Sequence, residues 1–268
     1  MLGLRSPAFV ARLGEAGSAF DPDALAYLAA VETADGEALE AGVREAVNDF
    51  VVGCKADAIW DALKASCILA GARTLNGCLV PLVGTAPTNF NFVSADYNRK
   101  TGLNGNGVTK YLNTNRASNA DPQNNNHNFL RITELRGSSS VALFGAGGSG
   151  SGANGLVRTE SNDGGSRNRS ENTFTSISLD AGAYGHSRNN ASDYNVRASG
   201  VTVTASITSQ APGAQPAFVF ARSEIDGSTP GFLANARLSF YSIGEAIDLA
   251  ALDTRVSNLM TALDGAIT

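Results

Sequence analysis

The spacing of apolar positions changes near residue 84. Before that point they recur every three or four residues, the period of an amphipathic helix. Asp21-Pro22 supplies an N-cap followed by proline at the first helical position, and Leu25, Leu28 and Val31 continue the stripe. A second predicted helix carries Leu39, Val43, Val47, Phe50, Val51 and Cys54 on one face, and a third carries Ile59, Trp60, Leu63 and Cys67. Stripes of this kind need cover, which these helices are expected to find on one another and on the sheet that follows.

After residue 84 short apolar runs are cut by Gly, Asn, Ser and Thr. Strands are predicted at 108–112, 129–135, 141–144, 173–179, 201–207, 217–221 and 237–243. Strands this short, separated by turn residues, predict a mainly β chain built as a jelly-roll β-sandwich. The chain returns to helical spacing at its end, where Leu249, Leu252, Val256, Leu259, Leu263 and Ile267 lie 3, 4, 3, 4 and 4 residues apart. The first five fit a heptad seam. That seam either docks on the chain's own sandwich or joins copies as a short trimeric coil. The division that results is 1–85 as a helical docking region, 86–245 as the sandwich and 246–268 as the closing helix.

Composition narrows the function. The chain has 268 residues, 43% of them hydrophobic and 17% charged. That supports a packed core under a surface solvated largely by amides and hydroxyls. A net charge of -5 gives no electrostatic footprint for nucleic acid. No apolar run of about 18 residues predicts a membrane span, and residues 1–19 lack the pattern of a secretory signal. Cys54, Cys67 and Cys78 form no C-x-x-C pair and have no histidine near them in sequence, so they read as buried thiols, with a disulfide still open.

Several stretches carry candidate chemistry. Gly150, Gly152 and Gly155 satisfy G-x-G-x-x-G after an apolar run, but no helix with an apolar stripe follows to present its amides to a pyrophosphate. Gly102 to Gly107 has the first spacing of a phosphate loop, with Val108 where lysine is required. His127 and His186, in asparagine- and glycine-rich surroundings, read as surface histidines without a nucleophile. Asp96, Asp121, Glu134, Glu160 and Asp193 are scattered, and only a carboxylate pair assembled in space would make a glycosidase. Residues 113–128 hold seven asparagines and read as a turn-rich loop, with calcium disfavoured by the missing carboxylates. Arg158, Arg167, Arg169, Arg188 and Arg197 alternate with acids and read as a mixed, solvated surface. No cofactor, metal or catalytic residue is implied, and a non-enzymatic protein is expected.

Two stretches are similar to the opening and closing strands of a concanavalin-like or laminin-G-like jelly roll. They are TGLNGNGVTKYLNTN at 101–115, with a small glycine turn before an aromatic, and PGFLANARLSFYSIGEAID at 230–248, a strand running into an acid-capped helix. The chain also resembles virion proteins of tailed bacteriophages in ARTLNGCLVPLVGTAPTNFNF at 72–92, DYNRKTG at 96–102 and FYSIGEAIDL at 240–249. That resemblance implies a structural protein of a tail, baseplate, fibre or capsid appendage. It would be localised to the virion, partnered by other virion proteins and by copies of itself, with a role in host attachment through surface glycans. A glycan-binding module is the alternative, with Tyr184, Tyr194 and Asn195 as candidate contacts. A polysaccharide-degrading enzyme on this fold is a third reading.

Overall fold

A computed structural model of the chain describes residues 20–137, 140–159, 163–171 and 174–268. The segment 1–19, read above for a secretory signal, lies outside the described residues, as do Glu160 and Thr173. The helices are α1 (Pro22–Asp35), α2 (Ala41–Ala56), a single turn α3 (Leu75–Cys78) and α4 (Leu249–Ala266). The strands are β1 (Leu63–Ile68), β2 (Thr88–Phe90), β3 (Tyr97–Asn98), β4 (Gly102–Asn104), β5 (Tyr111–Ala117) and β6 (Asn126–Leu135). They continue with β7 (Val141–Ala146), β8 (Ala153–Arg158), β9 (Asp163–Ser170), β10 (Thr175–Ser178), β11 (Gly182–Arg188) and β12 (Tyr194–Ala198). The last are β13 (Val201–Ala205), β14 (Pro216–Val219), β15 (Arg222–Ser223), β16 (Pro230–Gly231) and β17 (Ala236–Gly244).

Two antiparallel sheets form the sandwich. One runs β13-β12-β11-β6-β17-β4-β3, with β1 also paired to β17, and the other runs β10-β9-β8-β7-β14-β5-β2. The helices make a third layer. Phe50 of α2 meets Phe240 of β17 edge-on at 5.7 Å, and Phe240 in turn meets Phe129 of β6 at 6.2 Å. The first sheet is therefore covered on both faces, by the second sheet on one side and by helices on the other. Tyr184 of β11 reaches across the sandwich, its hydroxyl donating to the carbonyl of Gly165 in β9 at 2.5 Å.

The expected mainly β sandwich closed by a C-terminal helix is what the chain forms. The third predicted helix is not. Residues 60–62 make one 3-10 turn, and β1 then pairs antiparallel with β17 from Ala65↔Ile243 to Ile68↔Phe240. Five of its six residues are buried, and a short apolar run buried on both faces has no period that separates strand from helix. The helical region is also tied to the sandwich by charge. Arg99 donates to both carboxylate oxygens of Glu40, at 3.0 and 2.7 Å, and this pairing holds the Glu40 pKa down to about 2.

Each glycine-rich run joins a turn to a strand, β4 in one and β8 in the other. Gly147, Gly148 and Gly152 take φ of +86°, +57° and +74° in the β7–β8 connection, a left-handed region costly for other residues. The run after β4 is shaped by Asn106, whose Oδ1 accepts from the amides of Val108, Thr109 and Lys110.

Candidate functional site

The histidines and four of the five arginines named above are not on the surface. His127 and His186 are both 0% exposed, and Arg158, Arg167, Arg169 and Arg188 are buried as well. The expectation of surface histidines and a solvated arginine face is corrected here. His186 and Arg188 lie in a polar seam between the sheets, whereas His127 turns toward β17 and Arg167 toward the β7–β8 turn. His186 sits between Asn128 Nδ2 at 2.6 Å and Ser166 Oγ at 2.9 Å. Asn168 donates to Asn126 Oδ1 at 3.0 Å, and Arg188 donates to the carbonyls of Asn168 at 3.0 Å and Ile207 at 2.9 Å. Arg169 donates to the carbonyls of Ser118 at 2.6 Å and Asp121 at 2.9 Å. His127 Nε2 lies 2.9 Å from Ser242 Oγ. Burial lowers the His127 pKa to about 4 and, helped by the charge of Arg188, pushes that of His186 well below its ordinary value. Both rings are neutral hydrogen-bonding groups of the interior.

The scattered carboxylates are accounted for singly. Asp121 is gripped by Arg116, with Nε at 3.0 Å from Oδ2, while Asp96 pairs with Lys110 and Glu134 with Arg136. Asp193 accepts from the Asn190 amide at 2.8 Å. The three cysteines are buried and unbridged. Burial raises the Cys54 and Cys67 thiols to about 12 each. Among the described residues no group of three or more His, Cys, Asp or Glu could hold a metal ion. Among them also, no helix is long and apolar enough to cross a membrane.

One depression is a half-open cleft of about 660 Å³, within the range of small-molecule sites. Three pieces of chain meet there. The turn after α2 contributes Asp57, Ala58, Ile59 and Ala62. The outer face and turn of the β11–β12–β13 edge contribute Ser187, Asn189, Asn195 and Thr202. The lead into α4 contributes 246–250. The period-two alternation of β12 explains the polar wall: Tyr194 and Val196 point inward and are buried, which turns Asn195 out into solvent. Asp248 caps α4, its Oδ1 accepting from the amides of Ala250 and Ala251.

The side chains of the wall keep unused hydrogen-bonding capacity. Asn195 Oδ1 accepts from Thr204 and Asn189 Oδ1 accepts from Asn190, which leaves both exposed amide nitrogens to solvent among the described residues. Asp248 keeps its second carboxylate oxygen. Asp57 is held at 2.7 Å by both arms of Arg255, and this ion pair lowers its pKa. The cleft thus offers amide donors, hydroxyls and carboxylate acceptors around a small apolar strip of Ala246, Ile247 and Ala250.

Of the three glycan contacts expected from sequence, Asn195 lines this cleft. Tyr184 and Tyr194 are 0% and 1% exposed and cannot touch a glycan, because their rings point into the sandwich and their hydroxyls bind interior carbonyls. Asn189, Thr202 and Asp248 are not singled out by sequence; the first two sit in turn and edge positions that only pairing brings together. The seam residues Leu249, Leu252, Val256, Leu259 and Leu263 are all buried within the chain, where α4 packs on α2 and β11. Of the two uses the seam's spacing allows, this fold shows docking on the chain itself.

No protein-family model matches the chain, and no curated protein matches it. Among solved structures it is similar to the K499G mutant of NanB sialidase from Streptococcus pneumoniae, at 15% identity and a TM-score of 0.41, over 58% of this chain and 26% of that one. It is also similar to a mutant of Trypanosoma rangeli sialidase displaying trans-sialidase activity, at 12% identity and 0.45, over 81% and 39%. A third is the CBM40 of Ruminococcus gnavus IT-sialidase, at 13% identity and 0.38, over 56% and 96%. The chain spans about a quarter of the length of the NanB structure. At these identities the likeness is one of fold. The comparisons also correct the expectation of a non-enzymatic protein: two of these three structures are sialidases. The chain itself is an antiparallel β-sandwich with a helical layer over one sheet.

Proposed function

We propose that the protein binds glycans in the cleft between the β11–β12–β13 edge and the start of α4. The observation that carries the reading is the polar wall, where Asn189, Asn195, Thr202 and Asp248 converge on one site-sized cleft. Sugars present dense hydroxyls, each a donor and an acceptor, over a thinly apolar ring. Amides and carboxylates answer the first and Ile247 with its alanines the second. A glycan array followed by calorimetry tests this. Removing one amide contact, as in Asn195→Ala, is expected to weaken binding about 3- to 10-fold, the scale of one net hydrogen bond of roughly 0.5–1.5 kcal/mol.

The setting we propose for this binding is the virion of a tailed phage, as an appendage in host attachment. The support is the resemblance of 72–92, 96–102 and 240–249. Mass spectrometry of purified particles tests it, and absence of the chain from them counts against it.

Polysaccharide cleavage is the second reading, favoured by two carboxylates, Asp57 and Asp248, on one cleft. Glycoside hydrolysis needs one carboxyl as proton donor and another ionised. Arg255 keeps Asp57 ionised, as the base or nucleophile of such a pair must be, and Asp248 lies on the same cleft. Release of reducing ends from a bound glycan, abolished by Asp248→Asn, supports cleavage; a bound glycan that stays intact argues against it.

A further inference from the structure

The cleft does not end at Ala58. A second depression of about 380 Å³ lies beyond it, lined by Asp23, Lys55, Ala58, Trp60 and Asp61. Ala58 is a wall of both, and its left-handed φ of +55° turns the chain sharply where α2 ends. From this shared wall we infer that the site takes an oligosaccharide of several units, which runs from the Asn195 wall across Ala58 to stack on Trp60. The inference rests on the glycan reading and adds its length and its distal contact.

Trp60 is the only tryptophan in the chain. It is half-buried, packed in part against the core, with the rest of the indole facing the second depression. Exposed indole surface is costly to leave in water and suits the apolar C–H face of a pyranose. Its surroundings suit the hydroxyls of the same ring. Lys55 Nζ lies over the indole ring, 5.7 Å from its centroid, and is fixed there by Asp21 at 2.7 Å and Asp23 at 2.6 Å, so a stacked pyranose would share that face with the ammonium. Asp61 is exposed and lines the same depression. No aromatic side chain lines the first cleft, so Trp60 supplies the stacking platform that the polar wall lacks.

The lone tryptophan makes the test direct. The full chain is titrated with the hexasaccharide and the disaccharide of the maltose, cellulose and chitin series and of any series selected on the array. Binding is followed by tryptophan emission and by calorimetry. The expected result is a hexasaccharide that shifts or quenches Trp60 emission and binds at least ~10-fold more tightly than its disaccharide, the scale of one stacked ring. Trp60→Ala should remove that gain while leaving disaccharide affinity unchanged. Trp60→Phe, which keeps an aromatic in the core, and Asp61→Ala, at the exposed rim, should each remove part of it. Calorimetric binding with silent emission, or equal affinity for both lengths, overturns the extended site and leaves the glycan reading standing. Failure of every glycan to bind overturns both.

Discussion

His186 accepts from the Asn128 amide at one ring nitrogen and donates to Ser166 at the other, which is possible only for a neutral ring. Protonation would end the first bond and place a cation beside Arg188. The folded state therefore binds these protons less readily than the unfolded chain. Between the unfolded histidine value of about 6.5 and the folded value of about 4 for His127, the unfolded state carries more protons, so stability falls as pH falls through that window. The full effect of His127 is on the order of 3 kcal/mol, at about 1.36 kcal/mol for each pH unit. Urea midpoints should fall steadily from about pH 7 to about pH 4.5, above the range in which most carboxylates protonate. A flat profile would mean that the seam is hydrated.

At the scale of elements, α4 is held by close packing on α2. A Cβ on Gly42 would stand 2.9 Å from Ala266 Cβ, and one on Gly53 would stand 2.8 Å from Arg255 Nη1. Leu252 of α4 is 0% exposed. Leu252→Ala should cost about 2–5 kcal/mol in chemical unfolding and leave the solution mass unchanged; a drop in mass would restore the seam to an interface between copies. The regular spacing of α4 is readable because it is a long amphipathic helix, but spacing alone cannot say which surface covers it. The strands β9 and β11 escape a sequence reading for a different reason. Asp163–Ser170 and Gly182–Arg188 contain arginine, asparagine, serine and histidine where buried strands usually carry apolar residues. Ser166 with His186 and Asn168 with Arg188 pair across the two sheets, while Arg167 bonds carbonyls of the β7–β8 turn, and sequence displays neither kind of partner. Hidden partners likewise make both histidines look exposed: Ser166 across the sandwich for His186, and Ser242 on the neighbouring strand for His127. β1 is missed through ambiguity of period, since Leu63 and Cys67 fit a helix as well as a buried strand.

For the whole molecule, the helical region and the sandwich share one core, which runs from Ala24 through Phe240 to Ile267. The first strand of the sheet lies at Leu63–Ile68, well before residue 86, and the helices form a layer over that sheet. This layering makes the cleft, because it needs the turn after α2, the β11–β13 edge and the start of α4 at once. Only Asn195 of that wall is legible in the sequence, as a polar residue beside an aromatic on a strand. Loosening the helical layer should also loosen ligand binding, so Leu252→Ala is expected to reduce glycan affinity as well as stability, measurable by calorimetry below its melting temperature. The central claim is the cleft itself, and the most direct test is a glycan array probed with the wild-type chain beside Asn189→Ala/Asn195→Ala. Selective binding of a glycan set by the wild type, lost or reduced at least ~10-fold in a folded double variant as two net hydrogen bonds would require, is the predicted result. No bound glycan, or equal binding by both proteins, would contradict it.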